Sequence, residues 1–221
     1  MDPMDARAEM VREIESEVRL TRHHLGKEAL DPRVVAAMGA VPRHAFVAAE
    51  YAESAYVNAP LPIGGGQTIS QPYIVAVMTD MIAPQPGHTI LEVGTGCGYQ
   101  SAVLAALVAR VYSIEFIPEL GRAAAARLAE LGYDNVEVRI GDGREGWPEH
   151  APYDGILVTA AGRRVPKALV DQLRPGGRMA IPVGGRLMGQ DLLLVEKDAT
   201  GGVREQVVLP VAFVPLVGGR D

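Results

Sequence analysis

A short apolar strand that runs into alternating glycines and out again into a helix leaves this chain few folds to choose from. Leu91-Glu92-Val93-Gly94-Thr95-Gly96-Cys97-Gly98-Tyr99-Gln100 has that pattern. Ile90, Leu91 and Val93 make residues 88–93 an apolar strand, and Val103, Leu104 and Leu107 return at helical spacing over 99–108. A second strand over 110–115 ends in Glu115, 21 positions after Gly94. In a βαβ unit an acid at that place holds a pair of ribose hydroxyls. The spacing suits either a dinucleotide or S-adenosyl-L-methionine. The glycines read G-x-G-x-G and not G-x-G-x-x-G. With Glu92 ahead of them, the short turn favours the methyl donor, which has no pyrophosphate to seat on the helix N-terminus.

The rest of the chain falls in step with this unit. Residues 136–140 form a third strand, followed by Gly141-Asp142-Gly143, where the Asp142 carboxylate is able to accept from an adenine amino group. A strand over 155–158 ends in Thr159-Ala160-Ala161. Open α/β sheets bind ligands beyond the carboxyl ends of their strands, which is where Gly94, Glu115, Asp142 and Thr159 fall. Each also has a plain structural reading: Asp142 as a turn residue, Glu115 as a solvated strand end, Thr159 as the first residue of a helix. Helices are expected over 118–131, closed by Gly132, and over 166–173 before Pro175-Gly176-Gly177. Strand-like runs over 191–197 and 203–216 flank the polar, glycine-containing 198–202, which suggests a hairpin at the sheet edge. The alternation predicts an α/β, doubly wound, mostly parallel, Rossmann-like sheet covered on both faces, with an N-terminal helical cap and a C-terminal edge hairpin. In the cap, Val11, Ile14 and Val18 form an apolar stripe, His23-His24 face water near its end, and Asp31-Pro32 starts a helix that Val41-Pro42 stops. We expect a single domain over 1–221, divided into the cap (5–59), a cofactor-binding core (60–185) and C-terminal strands (186–221).

Between cap and core lies Leu61-Pro62-Ile63-Gly64-Gly65-Gly66-Gln67-Thr68-Ile69-Ser70-Gln71-Pro72-Tyr73, which sets hydroxyl and amide groups on a glycine-rich loop just before a helix. It reads as a substrate clamp. Consecutive glycines let backbone approach a ligand, and free N–H groups at the helix start favour a bound carboxylate or phosphate. The plain alternative is that Ser70 only caps the helix over 71–82.

With these segments in place, the chain resembles the protein-L-isoaspartate (D-aspartate) O-methyltransferases nearly end to end. The resemblance also includes Val41-Pro42-Arg43-His44-Ala45-Phe46-Val47, Val111-Tyr112-Ser113-Ile114-Glu115, Trp147-Pro148, Ala151-Pro152-Tyr153-Asp154, Ile181-Pro182-Val183-Gly184 and Phe213-Val214-Pro215-Leu216. The glycine turn is shared by many methyltransferases; Gln67 to Tyr73 carries the specific likeness. By that resemblance Ser70 is the active-site serine. Glu92, Gly94, Gly96, Glu115, Asp142 and Gly143 are S-adenosyl-L-methionine contacts. Thr68, Ile69, Ser70, Gln71 and Val214 are substrate contacts, and Phe213 to Leu216 fold back toward the substrate. The activity implied is repair: a methyl group moves to the free α-carboxylate of L-isoaspartyl, and D-aspartyl, residues of damaged proteins and peptides, and the ester closes to a succinimide. Two residues depart from the pattern. Cys97 stands where Ser is usual, nearly isosteric and open to oxidation if its pKa were lowered. Ala212 stands where a basic residue is common, which bears on peptide preference and not on reaction type.

The chemistry agrees with the residues. An α-carboxyl titrates near about 3.5, so the acceptor is ionised at neutral pH and no general base is required. Residues 67–72 contain no His, Lys, Asp or Glu, whereas an amine or hydroxyl acceptor would usually need one. Ser70, with backbone N–H groups at the helix start, is expected to orient the carboxylate and not to attack as a nucleophile. A nicotinamide oxidoreductase would share Glu115 but has the wrong glycine pattern. A nucleic-acid amino-methylase would show Asn or Asp followed by Pro-Pro-Tyr where Thr159-Ala160-Ala161 stand.

With 21 Lys and Arg against 27 Asp and Glu, the formal charge of −6 argues against nucleic acid as a partner. Arg43-His44 and Arg163-Arg164 are read as solvated surface. The 5 histidines lack ligand spacing, so no metal is expected, and 1 cysteine excludes an internal disulfide. Without an apolar run of some 18 residues or a signal-peptide core, a cytoplasmic monomer free of the membrane is the expectation.

Overall fold

The computed structural model describes residues 3–185 and 189–218. The outer bounds drawn above at 1, 186 and 221 lie outside them. In chain order the elements are α1 (Pro3–Leu20), α2 (Arg22–Leu25), α3 (Pro32–Ala40), β1 (Leu61–Gly64), β2 (Gln67–Ile69), α4 (Pro72–Met81), β3 (Thr89–Val93), α5 (Tyr99–Ala105), β4 (Arg110–Glu115), α6 (Pro118–Glu130), β5 (Val136–Ile140), β6 (Tyr153–Val158), α7 (Lys167–Gln172), β7 (Leu173–Gly185), β8 (Gly189–Lys197) and β9 (Val203–Val211). Short 3-10 turns fill several of the connections.

Seven strands form one sheet in the order β5-β4-β3-β6-β7-β8-β9. Pairs from β5 through β7 are parallel, and β7-β8 and β8-β9 are antiparallel. The chain winds outward from β3 to β5, then returns to lay β6 on the other side of β3. That reversal opens a crevice at the carboxyl ends of β3 and β6. Alternation along the strands divides the core: Ile90 and Leu157 face the layer built with α1, α3, α4 and α5, while Leu91, Val93, Ile156 and Val158 face the layer containing α7. Each such side chain contributes about 1.5–3 kcal/mol by leaving water.

Several expectations are met and several revised. The α1 stripe is Met10, Ile14 and Val18, all buried at i, i+4 spacing, with Val11 only half-buried beside it. Asp31 starts α3 as expected, its carboxylate accepting from the Arg33 N–H at 2.8 Å. Pro175-Gly176-Gly177, expected to follow a helix as a break, lies inside β7. Pairing jumps from Tyr153↔Leu173 to Gly155↔Arg178, so the extra residues bulge out of the ladder. The run over 203–216 is divided, because β9 ends at Val211 and 212–218 leave the sheet. Asp198 closes the β8–β9 hairpin by accepting from the Thr200 hydroxyl at 2.7 Å and from the N–H groups of Gly202 and Thr200, bonds that hold its carboxyl below the usual range.

Arg163 and Arg164 are exposed as read, but Arg43 is not. It is fully buried, with Nε donating to the Ala55 carbonyl at 2.8 Å and the guanidinium 4.8 Å from the Tyr99 ring centroid. Backbone carbonyls and an aromatic face replace water around this charge, a role suited to the flat, weakly hydrated guanidinium.

Candidate active site

The glycine-rich clamp is a hairpin and not a loop. β1 and β2 pair antiparallel, Leu61↔Ile69 and Pro62↔Thr68. Gly64, Gly65 and Gly66 turn the corner with φ of 88°, 58° and 71°, a left-handed run that side chains resist. Ser70 follows β2, half-buried, and does not cap α4. The cap position is Gln71, which makes no side-chain capping bond, and Pro72 opens the helix. The Tyr73 N–H donates to Asn58 Oδ1 at 3.0 Å. The expected free N–H groups at this helix start are therefore reduced: Pro72 has none and that of Tyr73 is taken. Among the described residues the Ser70 hydroxyl has no protein partner.

Beneath the hairpin lies an open, concave cleft of the kind in which small molecules bind. Gly94 and Gly96 of the turn, Glu115 at the end of β4, and Gly143 line it. A side chain at Gly94 is excluded twice: φ is +95°, and a Cβ would fall 2.2 Å from Thr159 Oγ1. Thr159 Oγ1 donates to the Gly94 carbonyl at 2.6 Å, stitching β6 to the turn. Glu115, 6% exposed, accepts from the Gly96 N–H at 2.8 Å through one oxygen and from the Ile117 N–H at 2.9 Å through the other. A carboxylate offers about four acceptor sites, so roughly half of its capacity stays free. Phe116, 44% exposed and on the cleft wall, was not foreseen. An aromatic directly after the strand-end acid was the signal available. Cys97 also lines the cleft but is buried, which pushes its thiol pKa up and away from easy oxidation.

Two expected contacts lie elsewhere. Asp142 accepts from the Arg144 N–H at 3.0 Å, capping its own turn. It lines a neighbouring groove with Gly218 packed against its carboxylate, while only Gly143 reaches the cleft. The bond to local backbone orients its short side chain and, among the described residues, leaves the second carboxylate oxygen without a backbone N–H. Glu92 is fully buried behind the turn, its Oε2 accepting from the hydroxyls of Ser101 and Ser113, the latter at 2.6 Å. Ser113 Oγ is in turn 2.6 Å from Thr95 Oγ1. Glu92 thus braces the turn from below.

Burial pushes the Glu92 carboxyl up to about 7, against the two serine bonds and helped by the charge of Glu115. A raised carboxyl favours the folded state at acid pH, and that advantage is lost as pH climbs from the unfolded value through 7. The span corresponds to about 3 kcal/mol. Glu92→Gln, whose carbonyl still accepts from both serines, is expected to flatten the dependence of stability on pH between about 4.5 and 7. Denaturant titrations across that range check this; an unchanged slope would refute it.

A second groove opens on the other side of the hairpin. Glu17, Thr21 and His24 of the cap line one wall, Gln71 and Tyr73 the floor, and 209–213 the opposite wall. Thr68, Ser70, Thr159 and Val214 line both spaces and form their common wall. Val214 is held there because 212–218 cross the mouth of the sheet. The Ala161 N–H donates to the Val214 carbonyl and the Leu216 N–H to the Ala161 carbonyl, each at 2.8 Å. Gln190 grips Phe213 through its N–H at 2.6 Å and its carbonyl at 3.1 Å. This agrees with the expected fold-back of Phe213 to Leu216. Of the expected substrate contacts, Thr68, Ser70, Gln71 and Val214 line the second groove, while Ile69 is buried and borders only the first. Ala212, exposed, lines the second groove. Among the described residues no three metal-ligating side chains gather, and no helix is long and apolar enough to cross a membrane.

Comparison with known proteins places this geometry in context. A sequence model of the family described as protein-L-isoaspartate(D-aspartate) O-methyltransferase matches residues 19–221. Over 215 residues the chain is 62% identical to protein-L-isoaspartate O-methyltransferase 2 of Syntrophobacter fumaroxidans, covering 97% of this chain and 87% of that one. It is 61% identical to the protein of the same name from a Polaromonas species, covering 96% and 100%. A solved protein-L-isoaspartate O-methyltransferase superposes with a TM-score of 0.83 at 27% identity, covering 96% of this chain; the chain spans 66% of its length. A crystal structure from Plasmodium falciparum in complex with S-adenosyl-L-homocysteine shares the fold, with a TM-score of 0.72 at 22% identity over 92% of this chain and 97% of that one.

Proposed function

The chain belongs to the protein-L-isoaspartate (D-aspartate) O-methyltransferase family, and from that premise we propose that its two clefts divide one reaction between them. The protein is an S-adenosyl-L-methionine-dependent repair methyltransferase that esterifies isoaspartyl residues of proteins and peptides. S-Adenosyl-L-methionine occupies the cleft beneath the hairpin, the damaged peptide lies in the groove behind it, and the methyl group crosses at their common wall.

The observation that carries this division is the wall itself. Thr68, Ser70, Thr159 and Val214 border both spaces, and none of the four titrates. A carboxylate acceptor, ionised from about pH 4 upward, needs orientation and a dry setting and no base. The unpartnered Ser70 hydroxyl donates to one carboxylate oxygen and fixes its approach. It is not a covalent nucleophile, since no base stands beside it to activate it. Glu115 would use its free acceptor capacity for the ribose hydroxyls, Gly94, Gly96 and Gly143 would admit the cofactor close to backbone, and Phe116 would offer its ring to the adenine. Glu92 and Asp142 shape the turns carrying these contacts. When bound, the cofactor supplies a methyl group on a cationic sulfur, and charge is neutralised as it leaves. Alignment of oxygen, carbon and sulfur contributes on the order of 7 kcal/mol or more. The ester then cyclises to a succinimide without further help and reopens in part as normal aspartate. The proposal extends to D-aspartyl residues, to a cytoplasmic monomer, and to one domain divided at 59/60 and 185/186. The charge of −6 supports the absence of a nucleic-acid partner.

The test is incubation with labelled S-adenosyl-L-methionine and two peptides that differ only in an isoaspartyl or aspartyl linkage. Base-labile methyl ester is expected on the isoaspartyl peptide alone. Ester on neither, with the cofactor bound, would overturn the assigned acceptor.

A further inference from the structure

The hydroxyl that orients the acceptor has no partner of its own, and α4 behind it lacks a side-chain cap, so the direction of Ser70 depends on how its backbone is held. The hold comes from the first helix. Glu17, half-buried near the end of α1, accepts through Oε2 from Asn58 Nδ2 at 2.6 Å and from Gln71 Nε2 at 3.4 Å. A carboxylate can only accept, so it turns the Asn58 amide nitrogen toward itself and leaves the Asn58 oxygen for the Tyr73 N–H at 3.0 Å. The Tyr73 hydroxyl lies 2.7 Å from Thr21 Oγ1, one turn beyond Glu17. The segment immediately after Ser70 is therefore tied to the cap at Gln71 and at Tyr73.

We propose that Glu17 is a positioning residue for methyl transfer, acting through Asn58 and Gln71 to set the Ser70 hydroxyl against the isoaspartyl carboxylate. This rests on the function proposed above. An acceptor oxygen at this position suffices to hold both amides, and a misplacement of about 1 Å at a reacting group costs up to about 100-fold in rate. The position of Glu17 explains why a helix that contributes nothing to the cofactor cleft borders the peptide groove.

Glu17→Ala is expected to lower kcat/KM for an isoaspartyl peptide by about tenfold or more, with S-adenosyl-L-homocysteine affinity by calorimetry at the wild-type value. Glu17→Gln, isosteric and keeping a carbonyl that accepts from Asn58 and Gln71, is expected to restore most of the loss. Asn58→Ala should lower turnover in the same direction, and the double variant should lose less than the product of the two single losses, because Asn58 lies on one of the two paths from Glu17. Equal losses in peptide turnover and cofactor affinity would mark general destabilisation and overturn the role. So would a Glu17→Gln variant as impaired as Glu17→Ala, or an active wild type with an unimpaired Glu17→Ala. A wild type that binds cofactor yet methylates no isoaspartyl peptide would overturn the proposed function and this role together.

Discussion

Replacing Ser70 by alanine is expected to lower kcat/KM for an isoaspartyl peptide by about 100-fold, the usual cost of one preorganised donor at a reacting oxygen. The fold should hardly register the change. Ser70 neither caps α4 nor bonds elsewhere in the described protein, so no internal partner is stranded when its hydroxyl goes. Cofactor affinity should stay near the wild-type value, because the hydroxyl stands at the far wall of that cleft and not among the turn amides. Peptide kinetics, calorimetry with S-adenosyl-L-homocysteine and a thermal melt separate these effects. Full turnover in Ser70→Ala would remove the hydroxyl from the mechanism and leave only the backbone of the hairpin to orient the acceptor.

The second large effect is expected at Glu115, where one carboxylate serves the protein and the ligand at once. In Glu115→Ala the N–H groups of Gly96 and Ile117 lose their acceptor, at about 1–3 kcal/mol for each if it stays dry. The ribose hydroxyls lose theirs as well, and hydrogen bonds to a charged group are worth about 1.5–3 kcal/mol each, so cofactor affinity should fall by about 100-fold or more. Glu115→Gln should lie between, since its single carbonyl satisfies one amide while its NH2 confronts the other. Calorimetry on variants shown to be folded decides the matter. Near-native affinity in Glu115→Ala would mean that the ribose is held elsewhere.

What was legible in the sequence was local. The strand, the alternating glycines and the acid at the end of β4 lie within one βαβ unit, and sequence distance there translates directly into spatial distance. Glu92 lies in the same unit and was still misplaced. Alternation along β3 puts it on the Ile90 side, toward α5 and Ser101, and not at the strand end where ligands bind. Asp142 is held by a nearer contact: its carboxylate accepts from the N–H two residues on, which fixes it on its own turn beside the cleft. The clamp looked like a loop because strands as short as β1 and β2 leave too few residues for alternation to show. Long-range partners were the least visible. Nothing near Arg43 in the sequence announces the carbonyl of Ala55 or the ring of Tyr99 that make its burial tolerable. Nothing near Ser70 announces that Asn58, 15 residues before Tyr73, takes the role a capping serine would have filled.

The strap over 212–218 separates what builds the sheet from what completes the site. Every strand of the sheet precedes it in the chain, so Val214, one of the four residues lining both clefts, adds nothing to the strand ladder and only completes the wall between them. A chain interrupted just beyond Val211 would keep its strands and lack one side of the place where the two ligands meet.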